Sequence, residues 1–426
     1  MTLSFEPVLT RNAGVPDSQN VDVYLSRGGY QALPRALSQL SPNELIELVE
    51  RSELRGRGGA GFPTGVKWRF LPKDVWPHYM ICNADESEPG TFKDRYLMEN
   101  DPHLIIEGCL LAAYAVEARV CYIYIRGEFQ EQERILERAL AEARDRGYVG
   151  KNIERSGFDC ELYIHRGAGS YECGEETALL ESLEGKRGLP RVKPPYPASV
   201  GLFGCPTAIN NVETLANLPY IVTRGADWYR SIGSKKNTGP KLYCLSGHVR
   251  RPGVYELPLG VPMRELIFEH GGGIREGHRL KAVIPGGPSV PVLTEKHLDT
   301  RMDFDSLVAA GSMLGSAGVI VMDETTCMVW TAGKLMEFYR HESCGKCTPC
   351  REGTDWLARI LDRMEKGQGR PEDIALLSDV SDNIAGKTLC PFGDAAVAPV
   401  ISTLVHFREE YELHVQHHAC PVSAVH

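Results

Sequence analysis

Three cysteines recur at every third position in "SCGKCTPC", where Cys344, Cys347 and Cys350 form a C-x-x-C-x-x-C run, and Cys390 precedes a proline in "KTLCPFG". Thiolates spaced in this way along one tight loop can reach three corners of an iron–sulfur cubane, leaving the fourth iron to a distant cysteine. Zinc is the rival occupant, but structural zinc sites usually pair two separate C-x-x-C knuckles, and three cysteines in one run crowd a single tetrahedral ion. Cys420, also followed by proline, competes with Cys390 for the fourth position. It lies in the polar tail "HVQHHACPVSAVH", which reads as frayed coil with His417 and His418 facing solvent. A 4Fe-4S cluster carries electrons, so a donor must stand upstream of it.

The second concentration of chemistry is "RGRGGAGFPTGVKW", with five glycines in fourteen positions interleaved with arginines, a lysine and aromatics. Gly56, Gly58 and Gly61 satisfy G-x-G-x-x-G, yet a dinucleotide fingerprint needs a strand before it and a helix opening on the last glycine. Here "SPNELIELVERS" precedes, a helix with Ser41 as N-cap, Pro42 at its first position and Glu44 closing a capping box. "FPTG" follows, which resists helix. What remains is the backbone chemistry of such a loop: glycines allow close approach to a flat ring or phosphate, and successive amides make an anion nest. Arg57 and Lys67 supply cationic partners. A plain glycine-rich turn with surface basic residues is the competing reading.

Two acidic loops stand near it in the chain. "ICNADESEPGTFKDR" packs Asp85, Glu86 and Glu88 into four positions, a self-repelling set unless a ligand or cation organises it. "HRGAGSYECGEETALLESLEG" runs from a strand into a helix whose first turn holds Glu175 and Glu176, where acidic residues also simply favour the helix dipole. Carboxylates accept hydrogen bonds from ribose hydroxyls and carboxamides, and both loops fall at strand carboxyl ends, where open α/β sheets bind ligands.

The elements that must position these residues follow from periodicity. Strands at 78–82, 120–126 and 160–165 alternate with helices at 102–118, 129–146 and 174–184, implying a mostly parallel sheet with helices on its faces. From about residue 240, a hairpin, a short helix at "MRELIFEHGGG" and further strands outline a small α+β domain of β-grasp type. Helical periodicity at 327–341, 351–366, 371–384 and 395–416 fits a four-helix bundle. The stretch 231–240 reads as a linker. Boundaries at 1–54, 55–238, 239–325 and 326–426 follow.

The chain has 426 residues, 42% hydrophobic and 24% charged, as in ordinary globular proteins. A net charge of −9 and the lack of a basic stripe argue against a nucleic-acid partner. "HLIIEGCLLAAYAVEA", interrupted by Glu107, is too short to cross a bilayer, and no secretory leader opens the chain, so a cytoplasmic setting is expected. Thirteen cysteines suit a reducing compartment. Cys82, Cys109, Cys121, Cys160, Cys205, Cys244 and Cys327 read as core thiols, with Cys173 held apart because it lies beside the acidic loop.

Together, in this order and spacing, "RGRGGAGFPTGVKW", "CNADESEPGTFKDR", "GAGSYECGEETALLESLEG", "KPPYPA", "PTAINNVETL" and "ESCGKCTPCREG" resemble the NADH-binding flavoprotein subunits of respiratory complex I. The resemblance runs from about residue 20 to about 416. It implies an α/β fold: a Rossmann-like parallel-sheet FMN domain, a β-grasp (ubiquitin-like) domain and a helical bundle bearing a 4Fe-4S cluster on Cys344, Cys347, Cys350 and Cys390. By the same resemblance, Gly56, Arg57, Gly58, Lys67, Asn83, Asp85, Glu86, Asn210, Asn211 and Thr214 would meet FMN. Phe62, Phe70, Glu88, Glu175, Glu176, Lys193 and Tyr196 would meet NADH, and Gly59, Gly61, Gly65, Tyr171 and Gly174 complete the cofactor-binding set. Tyr196 stands where relatives usually carry phenylalanine. The implied reaction is hydride transfer from NADH to FMN, then single-electron transfer to the cluster, with no catalytic base. Implied partners are a thioredoxin-like 2Fe-2S subunit and a large iron–sulfur subunit, on the cytoplasmic face of the inner membrane. The flavin subunits of NAD-reducing hydrogenases and NAD-dependent formate dehydrogenases share these motifs but often carry an additional ferredoxin-like or thioredoxin-like segment, for which this chain lacks room. A zinc-stabilised, non-catalytic scaffold is the rival of a different class.

Overall fold

The computed structural model describes residues 5–422. The chain divides into two compact units, one of Met1–Ser87, Phe92–Tyr243 and Val254–Gly260, the other of Glu88–Thr91, Cys244–Gly253 and Val261–His426.

The first unit opens with helices α1 (Val21–Ser26), α2 (Ala32–Gln39) and α3 (Pro42–Arg51). Only α3 is announced by its sequence, and its capping box forms as expected: Ser41 accepts from the Glu44 amide while Glu44 reaches back to Ser41. The stretch after the glycine loop, expected to resist helix, instead folds as α4 (Thr64–Arg69). Pro63 occupies its N-cap, where a missing N–H removes no intrahelical bond. Gly65 is required by packing: a Cβ there would approach the backbone nitrogen of Glu50 in α3 to 2.8 Å.

The alternation that follows is β1 (Tyr79–Ala84), α5 (Lys93–Asn100), α6 (Pro102–Ala115), β2 (Val120–Ile125), α7 (Gln130–Asp145), β3 (Gly150–Ile153), β4 (Phe158–Arg166), α8 (Glu176–Leu183) and β5 (Thr207–Asn211). The sheet order is β3-β4-β2-β1-β5, with β4, β2, β1 and β5 mutually parallel and β3 an antiparallel edge. Period-two alternation puts Met80, Cys82 and Ala84 in the core that holds α6, while Ile81 and Ile209 pack with Leu179 and Leu180 of α8. Helices therefore cover both faces, as the strand–helix rhythm implies. The helix expected over 102–118 stops early because Glu117 turns left-handed at φ 55°. The one expected at 174–184 begins instead as a 3₁₀ turn, Tyr171–Gly174, before α8.

After β5 come α9 (Val212–Ala216), α10 (Leu218–Arg224), α11 (Ala226–Arg230) and the hairpin β6 (Gly233–Ser234) with β7 (Asn237–Thr238). The expected linker at 231–240 is thus structured: Asn237 and Thr238 are buried, and the Thr238 carbonyl accepts from Arg57.

A second five-stranded sheet is formed by β8 (Pro240–Gly247), β9 (Gly253–Pro258), β10 (Leu280–Ile284), β11 (Leu293–Thr294) and β12 (Gly318–Asp323), in the order β11-β10-β12-β8-β9. β12 runs parallel to β8 and antiparallel to β10, a mixed sheet of the α+β kind expected. The short helix at "MRELIFEHGGG" is α12 (Glu265–His270), wound as a π-helix, and α13 (Phe304–Ala309) precedes β12. The carboxy-terminal helices are α14 (Met328–Glu342), α15 (Thr348–Glu365), α16 (Pro371–Ile384), α17 (Phe392–His406) and α18 (Arg408–His417). The single last helix expected at 395–416 is broken at Phe407, whose φ of −134° leaves the helical region. Among the described residues the bundle therefore has five helices and not four.

The core of the first unit contains a buried carboxylate. Glu107, 1% exposed in α6, accepts from the Tyr24 hydroxyl at 2.6 Å, from the amides of Tyr30 and Ala32 at 2.9 Å each, and from Leu33 at 3.1 Å. It thereby ties the α1–α2 segment to the sheet-covering helix. Glu107→Ala strands these donors in a closed core and is expected to destabilise the protein by about 3–5 kcal/mol. Thermal denaturation of the full chain measures this, and an unchanged midpoint contradicts it.

Candidate functional site

The glycine loop joins α3 to α4, and the loops after β1, β4 and β5 leave carboxyl ends of the parallel strands. The loop is braced by its own backbone, with the Gly56 amide donating to Phe62 O at 2.9 Å and Arg55 Nε to Gly61 O at 2.7 Å. Gly61 holds φ at +65° and Gly59 at +151°, and a Cβ built on Gly59 meets no atom within 4 Å. The loop's height is set from below. The Arg57 amide donates to Thr214 Oγ1 at 2.8 Å, and a Cβ on Gly58 would touch Asn211 Cβ at 3.0 Å. Gly58 is therefore glycine because the loop lies on the turn between β5 and α9.

Charges are buried beneath it. Arg57 is fully enclosed, and its Nη2 donates to Thr238 O at 2.6 Å, Tyr229 Oη at 3.1 Å and Pro240 O at 3.1 Å. Its Nε and Nη1 have no partner among protein atoms. Lys93, 1% exposed, meets Asp94 at 2.7 Å, Asn211 Oδ1 at 3.0 Å and Glu213 at 3.1 Å, while Lys241 Nζ lies 2.6 Å from Glu213. Burial raises the Glu213 carboxyl, but Lys241, Lys93 and Arg57 outweigh it and hold Glu213 below the ordinary range. Burial pushes Lys241 down to about 8 against the pull of Glu213. Glu86 accepts from the Asp94 and Arg95 amides at 2.8 and 2.9 Å, and burial followed by Asp94 pushes its carboxyl up to about 7. Three cations thus face two committed carboxylates and one that titrates near neutrality. A cation excess of this kind, with two unpaired guanidinium donors, fits the phosphate of a mononucleotide.

Lys93, Asp94, Glu213 and Lys241 are not among the residues that the sequence singles out. Their signal lay inside the quoted motifs, in "TFKDR" and "NNVETL", but charged residues in first helical turns read as solvated from sequence alone.

A second charged group lies on α4 and α8. Lys67 Nζ sits 3.0 Å from both Glu176 and Ile209 O, and Lys193 Nζ lies 2.8 Å from Glu175 and 3.5 Å from Glu176. Burial would raise Glu176, but Lys67 and then Lys193 hold it below the ordinary range. Glu175 is also the N-cap of α8, accepting from the Thr177 and Ala178 amides. Asn83 donates to Gly174 O at 2.9 Å, Asp85 N to Asn83 Oδ1 at 3.1 Å, and Trp68 Nε1 to Asn210 Oδ1 at 2.8 Å. Phe62 and Phe70, 47% and 57% exposed, bring their rings to 6.1 Å. Tyr196 is exposed and Tyr171 half-buried in its 3₁₀ turn. Glu88 belongs to the second unit, where Ser289 N donates to it at 2.9 Å.

In the bundle, the three-cysteine run is less of a loop than its spacing suggests. Cys347 is the N-cap of α15 and Cys350 lies in its first turn, buried, while Cys344 and Cys390 are half-buried. Ser343 Oγ stands 3.2 Å from Cys350 Sγ. Cys390 immediately precedes Pro391, the N-cap of α17. Two helix amino-termini therefore adjoin the cysteines, and their partial positive charge favours thiolates. Four thiols brought by two inter-helix turns suit a cubane better than a single ion. Cys420 lies elsewhere, its sulfur close to ligand atoms of Cys327, Glu365 and His414, contrary to the frayed coil expected. Cys205 is half-buried, whereas Cys82, Cys109, Cys121, Cys160, Cys173, Cys244 and Cys327 are buried.

Known proteins share this arrangement of domains. Residues 49–220 match the Nuo51 FMN-binding domain, residues 241–321 the SLBB domain and residues 330–414 the NADH-ubiquinone oxidoreductase-F iron-sulfur binding region. The second F subunit of the NADH-quinone oxidoreductase of Rhizobium meliloti (strain 1021) is 57% identical over 98% of this chain and 99% of its own. The F subunit of the Mycobacterium tuberculosis (strain ATCC 25618 / H37Rv) enzyme is 54% identical over 97% of this chain and 95% of its own. Among solved structures, an NAD+-reducing [NiFe]-hydrogenase in the H2-reduced state aligns with a TM-score of 0.83 and 36% identity, over 98% of this chain and 67% of that one. With its FMN-binding and iron–sulfur regions matched and near-complete mutual coverage, the chain belongs to the family of NADH-quinone oxidoreductase F subunits.

Proposed function

We propose that the chain oxidises NADH as the flavoprotein subunit of a respiratory NADH:quinone oxidoreductase. The observation that carries this is the occurrence, in one chain matched nearly end to end by its NADH-quinone oxidoreductase relatives, of an FMN-binding domain and a four-cysteine iron–sulfur region. FMN accepts two electrons as hydride and can release them singly, which lets a two-electron donor feed a one-electron cluster.

The chain's own residues contribute orientation and charge. Arg57 and the amides around Gly56, Gly58 and Gly59 face the anionic end of the mononucleotide, with Lys93 reinforcing the field. Asn83, Asp85, Asn210 and Asn211 offer hydrogen bonds to the flavin ring, and Phe62, Phe70 and Tyr196 offer aromatic faces to the bases of NADH. Glu88, Glu175 and Glu176 accept from ribose hydroxyls or the carboxamide, and a carboxylate near the adenosine ribose repels a 2′-phosphate, selecting NADH over NADPH. Cys344, Cys347, Cys350 and Cys390 hold the cluster.

Partners of this reading are a thioredoxin-like 2Fe-2S subunit and a large iron–sulfur subunit, with the assembly on the cytoplasmic face of the membrane. No helix among the described residues is long and apolar enough to cross a bilayer. The hydrogenase likeness supports a second reading, as the flavin subunit of an NAD-reducing hydrogenase, but the higher identity and near-complete mutual coverage of the NADH-quinone oxidoreductase relatives favour the first.

Cys347→Ser is expected to abolish the low-temperature EPR signal of the reduced 4Fe-4S cluster while leaving part of the NADH-to-ferricyanide activity. An unchanged signal refutes the ligand assignment. Glu86 supplies a test by pH. Its folded carboxyl titrates at about 7, above the unfolded range, so between about pH 4.5 and 7 the folded protein holds a proton that the unfolded chain has released. Stability therefore falls as pH rises through that window. In Glu86→Gln the fall should be smaller by roughly 1–3 kcal/mol, read from denaturation at several pH values, and identical slopes in the two proteins contradict it.

A further inference from the structure

A second constellation of metal-binding side chains lies in the second unit and is not used by the function proposed above. Cys327, the N-cap of α14, Glu365, the last residue of α15, His414 of α18 and Cys420 bring one ligand atom each to within 4.8 Å of one another. Cys327 Sγ is 3.3 Å from Glu365 Oε1 and 3.5 Å from His414 Nε2, and those last two atoms are 3.0 Å apart. A tetrahedral ion with bonds of about 2.0–2.3 Å sets its ligand atoms roughly 3.3–3.8 Å apart, close to these separations.

The imidazole orientation sharpens the case. His414 Nδ1 lies 2.6 Å from the Glu410 carbonyl oxygen, which can only accept, so Nδ1 carries the hydrogen. Nε2 of the neutral ring then presents a lone pair to a sulfur and to a carboxylate oxygen inside a buried pocket, where His414 and Cys327 are each 0% exposed. Lone pairs facing one another need a cation between them, a proton or a metal ion. A ring hydrogen given to a backbone carbonyl is also the usual support of a metal-bound histidine. Cys327 Sγ in addition receives the Trp330 amide at 3.3 Å, a contact that favours thiolate over thiol.

We propose that Cys327, Glu365, His414 and Cys420 form a structural zinc site, separate from the cluster cysteines. Two thiolates, one imidazole and one carboxylate satisfy the four-coordinate preference of zinc and leave no open position, as in sites that hold structure and not substrate. Binding releases the two thiol protons to solvent, and no oxidant or reductant takes part. The ion fastens the chain beyond α18 to the starts and ends of two other bundle helices. The tail already follows this course: His418 Nδ1 meets Gly367 O at 3.2 Å, and a Cβ on Gly367 would strike the His418 carbonyl oxygen.

The test is elemental analysis of the full chain, loaded with FMN and cluster, purified without a polyhistidine tag and dialysed against buffered zinc. The expected result is about one zinc per chain, lost to background in His414→Gln and in Cys420→Ser with iron and flavin unchanged. Cys420→Ser alters a half-exposed position outside the helices, so it tests the site even if His414→Gln fails to fold. Zinc-edge X-ray absorption should show a mixed sulfur and nitrogen/oxygen shell. A wild-type protein that takes up no zinc, zinc retained by both variants, an all-sulfur shell, or a Cys327–Cys420 disulfide in peptide mass analysis overturns the proposal.

Discussion

Glu213 is the charge on which the ligand edge of the first unit depends. It is fully buried in the first turn of α9, accepts from the Leu242 amide at 2.9 Å and stands between the ammonium groups of Lys93 and Lys241. Without it, two ammoniums and the Arg57 guanidinium would share a dry interior. With it, α5, the β5–α9 turn and the start of β8 are held in one arrangement. Buried ion pairs contribute little net stability against well-packed apolar groups, so the network is better read as fixing position. Lys93 binds Asn211, Asn211 donates to Asp94 at 2.6 Å, and Asn211 Cβ supports Gly58. The height of the glycine loop above the sheet is thus an indirect product of that one carboxylate.

The bundle manages charge differently. Its cysteines stand at helix amino-termini, where unpaired amides favour anionic sulfur, and no buried lysine is needed. Helix α15 has the cluster cysteines Cys347 and Cys350 at its start and Glu365 at its end, 18 residues in all, or roughly 27 Å along the axis. A metal at its far end would brace the helix without entering the field of the cluster.

Much of this was legible in residue order because the relevant signals were local. The alternation of 79–166 was readable, since buried parallel strands and intervening helices each carry their own period. The helix α3 was readable through its capping box. The misses were all tertiary. α4 forms after "FPTG" because Pro63 sits where its missing N–H is harmless and Gly65 fits against Glu50, neither of which local propensity reveals. The hairpin at 233–238 looked like a linker because its burial comes from Arg57, far away in the chain. Cys420 looked frayed because its neighbours Cys327, Glu365 and His414 come from three separate helices. The same holds for the charges beneath the glycine loop, since nothing in "TFKDR" distinguishes a lysine buried against Glu213 from one in water.

The exposed aromatics are the remaining feature that the packing alone does not explain. Single apolar residues on a surface need no account, but Phe62 and Phe70 are paired, projecting from the end of the glycine loop and from the C-cap of α4. Lys67 lies one helical turn before Phe70 and is held by Glu176, so an aromatic face and an ordered charge pair share one short helix. A purely apolar partner would leave that ion pair undersolvated, and a purely ionic one would leave the rings in water. A flat heteroaromatic base carrying a ribose and phosphates satisfies both, which is the chemistry of a dinucleotide and the reason α4, the element that the sequence seemed to forbid, belongs to the site.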